Sequence, residues 1–261
     1  MLRSLKELTG YTILATDGEI GSAHDFYFDN QTWTLRYLVV DTSAWLTGRR
    51  VLLSPAAFNQ PQWERRVFPV SLTQEQVKNS PNIDTDKPVS RQQETDLYTY
   101  YNWSPYWETG TLFPLGVAGL PVVQPPSVQP SGLAAEKAEL AARASPEPQG
   151  DPHLHSAKEV TGYYIQARDG DIGHVEDFLV DDETWAIQYM VVDTGNWLPG
   201  KKVLVSPSWI KMISWIEKTV YIDLLRETIE KSPEYDPAVP LDRAYETRLY
   251  DHYDRPKYWP D

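Results

Sequence analysis

The stretch Leu35 to Pro55, LRYLVVDTSAWLTGRRVLLSP, returns at Ile187 to Pro207 as IQYMVVDTGNWLPGKKVLVSP. The offset is 152 residues, and the same register runs far beyond that stretch without an insertion. It pairs Ser4-Leu5-Lys6-Glu7 with Ser156-Ala157-Lys158-Glu159, Asp17 to Gly21 with Asp169 to Gly173, Ser80-Pro81 with Ser232-Pro233, and Tyr106-Trp107 with Tyr258-Trp259. One register held over about a hundred residues means two copies of one domain. Each copy has a common domain size and can bury its own core. The period is too long for a solenoid, whose units cannot cover their apolar faces alone.

Within a copy the pattern is that of short strands. Tyr11 to Ala15 reads as a strand, Asp17-Gly18 as a tight turn, and Ile20 to Phe28 as the next strand. Gly21 in that strand marks a bulge or a close approach of backbone. Trp33 to Asp41 is the clearest strand. Leu35, Tyr37 and Val39 share one face and Leu38 and Val40 the other, so both faces are expected to be buried. Val51 to Leu53 is a short strand stopped by Ser54-Pro55. Val67 to Leu72, interrupted by Pro69, matches a cleaner alternation in Lys218 to Leu224. Leu72 to Val77 reads as a short helix with a Thr73/Gln76 capping box. Ser4 and Glu7 also have capping-box spacing, but no sustained helical period follows.

Each copy ends in an aromatic tail, ETDLYTYYNWSPYW and ETRLYDHYDRPKYW, read as a short helix and an extended segment. Residues 109–135 carry no charge but are broken by Pro114, Pro121, Pro125, Pro126 and Pro130. Breaks at that density strand backbone groups in lipid, so a Pro-rich linker is read rather than a membrane span. Leu133 to Ala144 is Ala/Glu-rich and marginally helical. The organisation is therefore domain 1 at residues 1–108, linker at 109–152 and domain 2 at 153–261.

Candidate chemistry is thin. The chain has no Cys, which removes disulfides and thiolate nucleophiles and fits a reducing interior. The segment MLRSLKELTGY lacks the apolar run of a signal peptide, so a cytoplasmic protein is expected. Net charge is −13, split as −3, −2 and −8 over the three segments, so neither copy offers the basic footprint that nucleic acid requires. Two His at His153-x-His155, placed on the linker, fall short of a structural metal site. His24 is not repeated, since its counterpart is Glu176, and His174 faces Ser22, so chemistry shared by both copies cannot use His. The repeated acids Asp17/Asp169, Asp29/Asp181 and Asp41/Asp193 sit at turns, where carboxylates bond nearby amides. Asp25/Asp177 is a fourth repeated pair. No nucleophile elbow, phosphate loop or dinucleotide fingerprint is present. No catalytic residue, cofactor or metal is assigned. The loop Asp41 to Gly48, repeated at Asp193 to Gly200, joins an acid, a hydroxyl, a Trp and a Gly. Its Trp45 and Trp197 are read first as covers for core.

Leu8-Thr9-Gly10-Tyr11, Asp17 to Gly21, Asp25-Phe26, Tyr37 to Asp41 and Val51 to Pro55, with their second-copy mates, resemble a PRC-barrel domain. That family includes the cytoplasmic domain of the photosynthetic reaction-centre H subunit and the carboxy-terminal domain of the ribosome maturation factor RimM. The resemblance implies a small β-barrel serving as an adaptor between macromolecules, with no enzymatic activity in the barrel. The chain lacks the H subunit's transmembrane helix and a recognisable RimM amino-terminal domain, so neither specific function transfers.

The expectation is a mainly β chain of two small antiparallel PRC-type barrels, each with a short helix and an aromatic tail. Its expected role is protein interaction, with other proteins as partners and the two barrels pairing internally or a homodimer forming. Candidate partner contacts are Trp45, Tyr106 and Trp107 and their mates Trp197, Tyr258 and Trp259. The alternatives are a ribosome-assembly or RNA-associated factor, which would need a basic face from Arg49, Arg50, Arg65 and Arg66, or from Lys201 and Lys202, and an accessory of a membrane or photosynthetic complex.

Overall fold

A computed structural model describes residues 1–46, 49–85, 88–107, 153–195 and 200–259. The expected linker at 109–152, with its Ala/Glu-rich stretch, and Trp197 lie outside the described residues. The chain is mainly β. Its first-copy strands are β1 (Leu2–Ser4), β2 (Thr12–Ala15), β3 (Gly18–Asp29), β4 (Thr34–Asp41), β5 (Arg50–Leu53) and β6 (Val67–Pro69). Its second-copy strands are β7 (Leu154–Ser156), β8 (Tyr164–Ala167), β9 (Gly170–Asp181), β10 (Ile187–Asp193), β11 (Lys202–Val205), β12 (Ile210–Ser214) and β13 (Thr219–Ile222).

Among the described residues two sheets form, in the orders β5-β4-β3-β2-β6 and β11-β10-β9-β8-β13-β12. Most pairs are antiparallel, while β6 runs parallel to β2 and β13 parallel to β8. β4 is buried on both faces as its pattern demands: Leu35, Tyr37, Leu38, Val39 and Val40 are each 3% exposed or less. Gly21 (φ +139°) lies where an added Cβ would sit 2.0 Å from the Asp41 carbonyl oxygen, and Gly173 meets Asp193 in the same way. These glycines let β3 and β9 run flush against the ends of β4 and β10.

The copies differ at one end of the sheet. The second copy closes β12 against β13 as a hairpin. In the first copy the equivalent pairing shrinks to isolated bridges, Phe58 with Val70 and Gln62 with Val67. Pro61 and Pro69 fall in this stretch and cannot donate to a ladder. The strand expected over Val67 to Leu72 therefore stops at Pro69.

β1 and β7 do not pair within their own copies. β1 adds to β9 through Leu2–Asp181 and Ser4–Leu179, and β7 adds to β3 through Leu154–Asp29 and Ser156–Tyr27. Each copy thus lends its first strand to the other. The exchange is reinforced by reciprocal amide bonds, Leu35 N to the Trp185 oxygen (2.9 Å) and Ile187 N to the Trp33 oxygen (2.7 Å). Phe28 and Phe178, both fully buried, meet at 5.7 Å between ring centres. The described residues of Met1–Asn79 and His153–Asp261 accordingly form one compact unit, and those of Ser80–Pro152 belong to another.

Candidate functional site

Serine begins the site. Ser4 and Ser156 each end an exchanged strand and cap a four-residue helix, Leu5–Leu8 and Ala157–Val160, by accepting from the backbone N–H of Glu7 and Glu159. The serine half of the capping-box spacing thus forms, and the helix ends after a single turn because Thr9 and Thr161 return to extended backbone. Each serine hydroxyl also donates across the exchange: Ser156 Oγ to Asp25 Oδ2 (2.6 Å) and Ser4 Oγ to Asp177 Oδ2 (2.5 Å). The other oxygen of each carboxylate accepts two amides, Lys158 N (3.1 Å) and Phe26 N (2.7 Å) at Asp25, and Lys6 N (3.0 Å) and Phe178 N (2.7 Å) at Asp177. Burial pushes both carboxyls above their ordinary value, and these hydrogen bonds oppose the shift.

Between the two clasps lies a cavity of about 460 Å³ lined from both copies. Lys6, His24, Lys158, His174 and Glu176 bring charge and titratable groups to it, and Phe26 and Val175 bring apolar surface. His24 and Glu176 owe their position to a bulge. The β3–β4 register slips between Ala23 and Asp25, and the β9–β10 register slips between Val175 and Asp177. The skipped residue is left out of the ladder and directed away from it. Burial, then Lys158, then Arg50, hold the His24 imidazole below its ordinary value.

The turn carboxylates serve the backbone. Asp29 Oδ1 accepts from Gln31 N, Asp41 Oδ1 from Ser43 N and Asp193 Oδ1 from Gly195 N. Asp17 and Asp169 reach farther, to the first amides of the helices Gln74–Lys78 and Arg226–Glu230. His155 is not on a flexible segment: it lies in β7, and its ring stacks on Trp215 with centres 3.5 Å apart.

The candidate contact residues fall in three places. Trp45 is half-buried, and its indole N–H donates to the Ile20 carbonyl (2.6 Å), closing its loop onto β3. Tyr258 and Trp259 fold back on the helix Arg243–Tyr253. The Tyr258 hydroxyl donates to buried Glu246 (2.7 Å), which also accepts from Tyr189 (2.8 Å) and pairs with Arg243 (2.9 Å). The Arg243 guanidinium lies 4.3 Å from the Trp259 ring centre. The tail of the other unit repeats this design: Tyr106 donates to Glu94 (2.8 Å), Arg91 pairs with Glu94 (2.9 Å) and sits 4.5 Å from the Trp107 ring centre. Tyr258 remains 47% exposed.

Trp45, Tyr258 and Trp259 do not line the cavity. In the sequence its key residues, Lys6, Lys158 and the Asp25/Asp177 pair, stand out only as matched positions of the repeat. The available signal was the mismatch His24/Glu176 inside an otherwise matched segment.

Residues 152–229 match the family model described as PRC-barrel domain. A protein of Deinococcus radiodurans described as uncharacterized is 35% identical over 81 residues, which is 31% of this chain and 27% of that protein. The chain thus spans about a quarter of the length of that relative.

Proposed function

We propose that this chain, whose second copy carries a PRC-barrel domain, is a non-enzymatic adaptor that binds another protein through the β12–β13 hairpin. One observation carries the reading. β12 ends the strand order of its sheet, and Met212 on it is 53% exposed while Ile216 at the turn is 97% exposed. An edge strand with apolar side chains facing water is suited to strand addition by a partner. The strand exchange supports it further, because it ties both copies into one body that can hold a partner at a fixed orientation. The buried acids add to this: Asp25, Asp177 and Glu246 spend their oxygens on amides, hydroxyls and a guanidinium rather than on an open reaction site.

The test is co-purification of the tagged full chain from its native host, with and without chemical cross-linking. A protein recovered by the wild type and lost with the paired substitutions Met212→Lys and Ile216→Asp supports the reading. Equal recovery by that variant would remove the hairpin from the interface, and recovery of the chain alone would remove the adaptor role.

A further inference from the structure

The two copies close the same sheet edge differently. In the first copy the ring of Trp185 packs there, 5.3 Å from the Phe58 ring centre and 6.0 Å from that of Phe68. At the 152-residue offset Trp33 stands for Trp185, while Ile210 and Val220 stand for the two phenylalanines. Trp33 and Trp185 share a left-handed backbone, φ 52° and 59°, so the side chains around them make the difference. Trp33 lies instead on Phe28, with ring centres 5.2 Å apart, where the second copy has Val180. Beside β12 a groove of about 390 Å³ is left open. Ile210, Lys211, Met212 and Ile213 all line it. Consecutive residues of a strand point to opposite faces, so the groove runs along the edge of β12 rather than over one face. β12 is the last strand of its sheet, and the backbone of Lys211 to Ile213 bonds to no element but β13 among the described residues. Trp33 and Trp215 also line the groove, and the Trp215 ring is held by stacking on His155. Lys211 lines it with no ion pair among the described residues, and no described carboxylate residue lines it.

We propose that this groove receives one extended segment of the partner protein as an added strand beside β12, with an aromatic side chain of that segment against Trp33 and Trp215 and an acidic side chain next to it on Lys211. The inference rests on the β12–β13 hairpin being the adaptor's interface, and it names what that interface selects. Trp185 is the internal template: in the first copy an aromatic ring fits against the equivalent edge. Charge sets the second requirement, since a groove with a cation and no carboxylate favours an acidic neighbour over a basic one. That ion pair is exposed and therefore weak, so the ring sets most of the affinity. The outward N–H and C=O groups of an edge strand fix the segment's register.

The probe is an acetylated peptide of about eight residues, alternating Thr and Val, with a central Trp flanked by Glu. It is titrated into the full chain and followed by amide and indole NMR shifts. Saturable shifts at Lys211 to Ile213, Trp33 and Trp215 are expected, with a dissociation constant on the order of 1 mM or tighter. Replacing the peptide's Trp by Ala should weaken binding at least about tenfold, and replacing its Glu by Lys about threefold. Ile210→Phe puts the first-copy residue into the groove at a half-buried position, so it should fold and should lose peptide binding by at least about tenfold. Lys211→Glu should reverse the preference between the Glu and Lys peptides. No saturable shift at millimolar peptide, equal binding of the Trp and Ala peptides, or binding unchanged in Ile210→Phe would each overturn the proposal. Co-purification separates its failure from that of the adaptor role: a partner kept by Ile210→Phe but lost with Met212→Lys and Ile216→Asp would overturn the groove and leave the hairpin as the interface.

Discussion

The clasp at Asp25 gives a prediction whose location, as well as its size, follows from the strand exchange. Asp25→Ala removes the acceptor for three donors. The Phe26 amide is buried and would be left without a partner, at a cost of about 1–3 kcal/mol. The Ser156 hydroxyl and the Lys158 amide are part-buried and can turn to water, so each loses only about 0.5–1 kcal/mol. The variant also avoids burying a carboxylate, which offsets part of this. The net loss is about 3 kcal/mol, and for a unit of this size each kcal/mol lowers the melting temperature by about 2–4 °C. Circular dichroism should therefore show Tm falling by about 6–12 °C. Hydrogen exchange locates the damage. Asp25→Ala should speed exchange at Leu154 to Lys158, which lie in the other copy, and leave Leu2 to Lys6 protected. Asp177→Ala should do the reverse. A Tm change below about 2 °C refutes the energetic reasoning. Loosening of Leu2 to Lys6 by Asp25→Ala refutes the exchange itself.

Three further outcomes are expected. Gly21→Ala or Gly173→Ala would push a methyl to 2.0 Å from a backbone oxygen at positive φ, so each should cost more than about 4 kcal/mol and leave little folded protein by gel filtration. Glu246→Gln breaks a pair with Arg243 at a side chain only 5% exposed and should cost about 3 kcal/mol in urea denaturation; a change below about 1 kcal/mol would show that the tail is not held there. Asp25 and Asp177 have folded values raised above 3.8, so their stabilisation is complete below that pH and lost as pH rises through the folded values. The stability gap between wild type and the Asp25→Asn, Asp177→Asn variant should shrink from about pH 4 to pH 7, and a gap that widens would reverse the assignment.

How much was legible in the chain depends on the range of the interaction concerned. The doubled register, the two-face burial of Leu35 to Val40, the close approach at Gly21 and the Thr73/Gln76 cap are all local or repeated patterns, and the sequence alone determined them. The three-residue strands β1 and β7 were not visible, since three residues carry no readable period. Nor could any local pattern say which sheet receives them. The edge of β3 that takes β7 and the edge of β9 that takes β1 are copies of one another, with the same serine, the same acid and the same ladder. Pairing within a copy and pairing across copies would satisfy the same hydrogen bonds, so only the three-dimensional path of the chain chooses between them. That choice brings Lys158 to His24 and Lys6 to Glu176, and it makes a cavity of residues 152 positions apart in sequence.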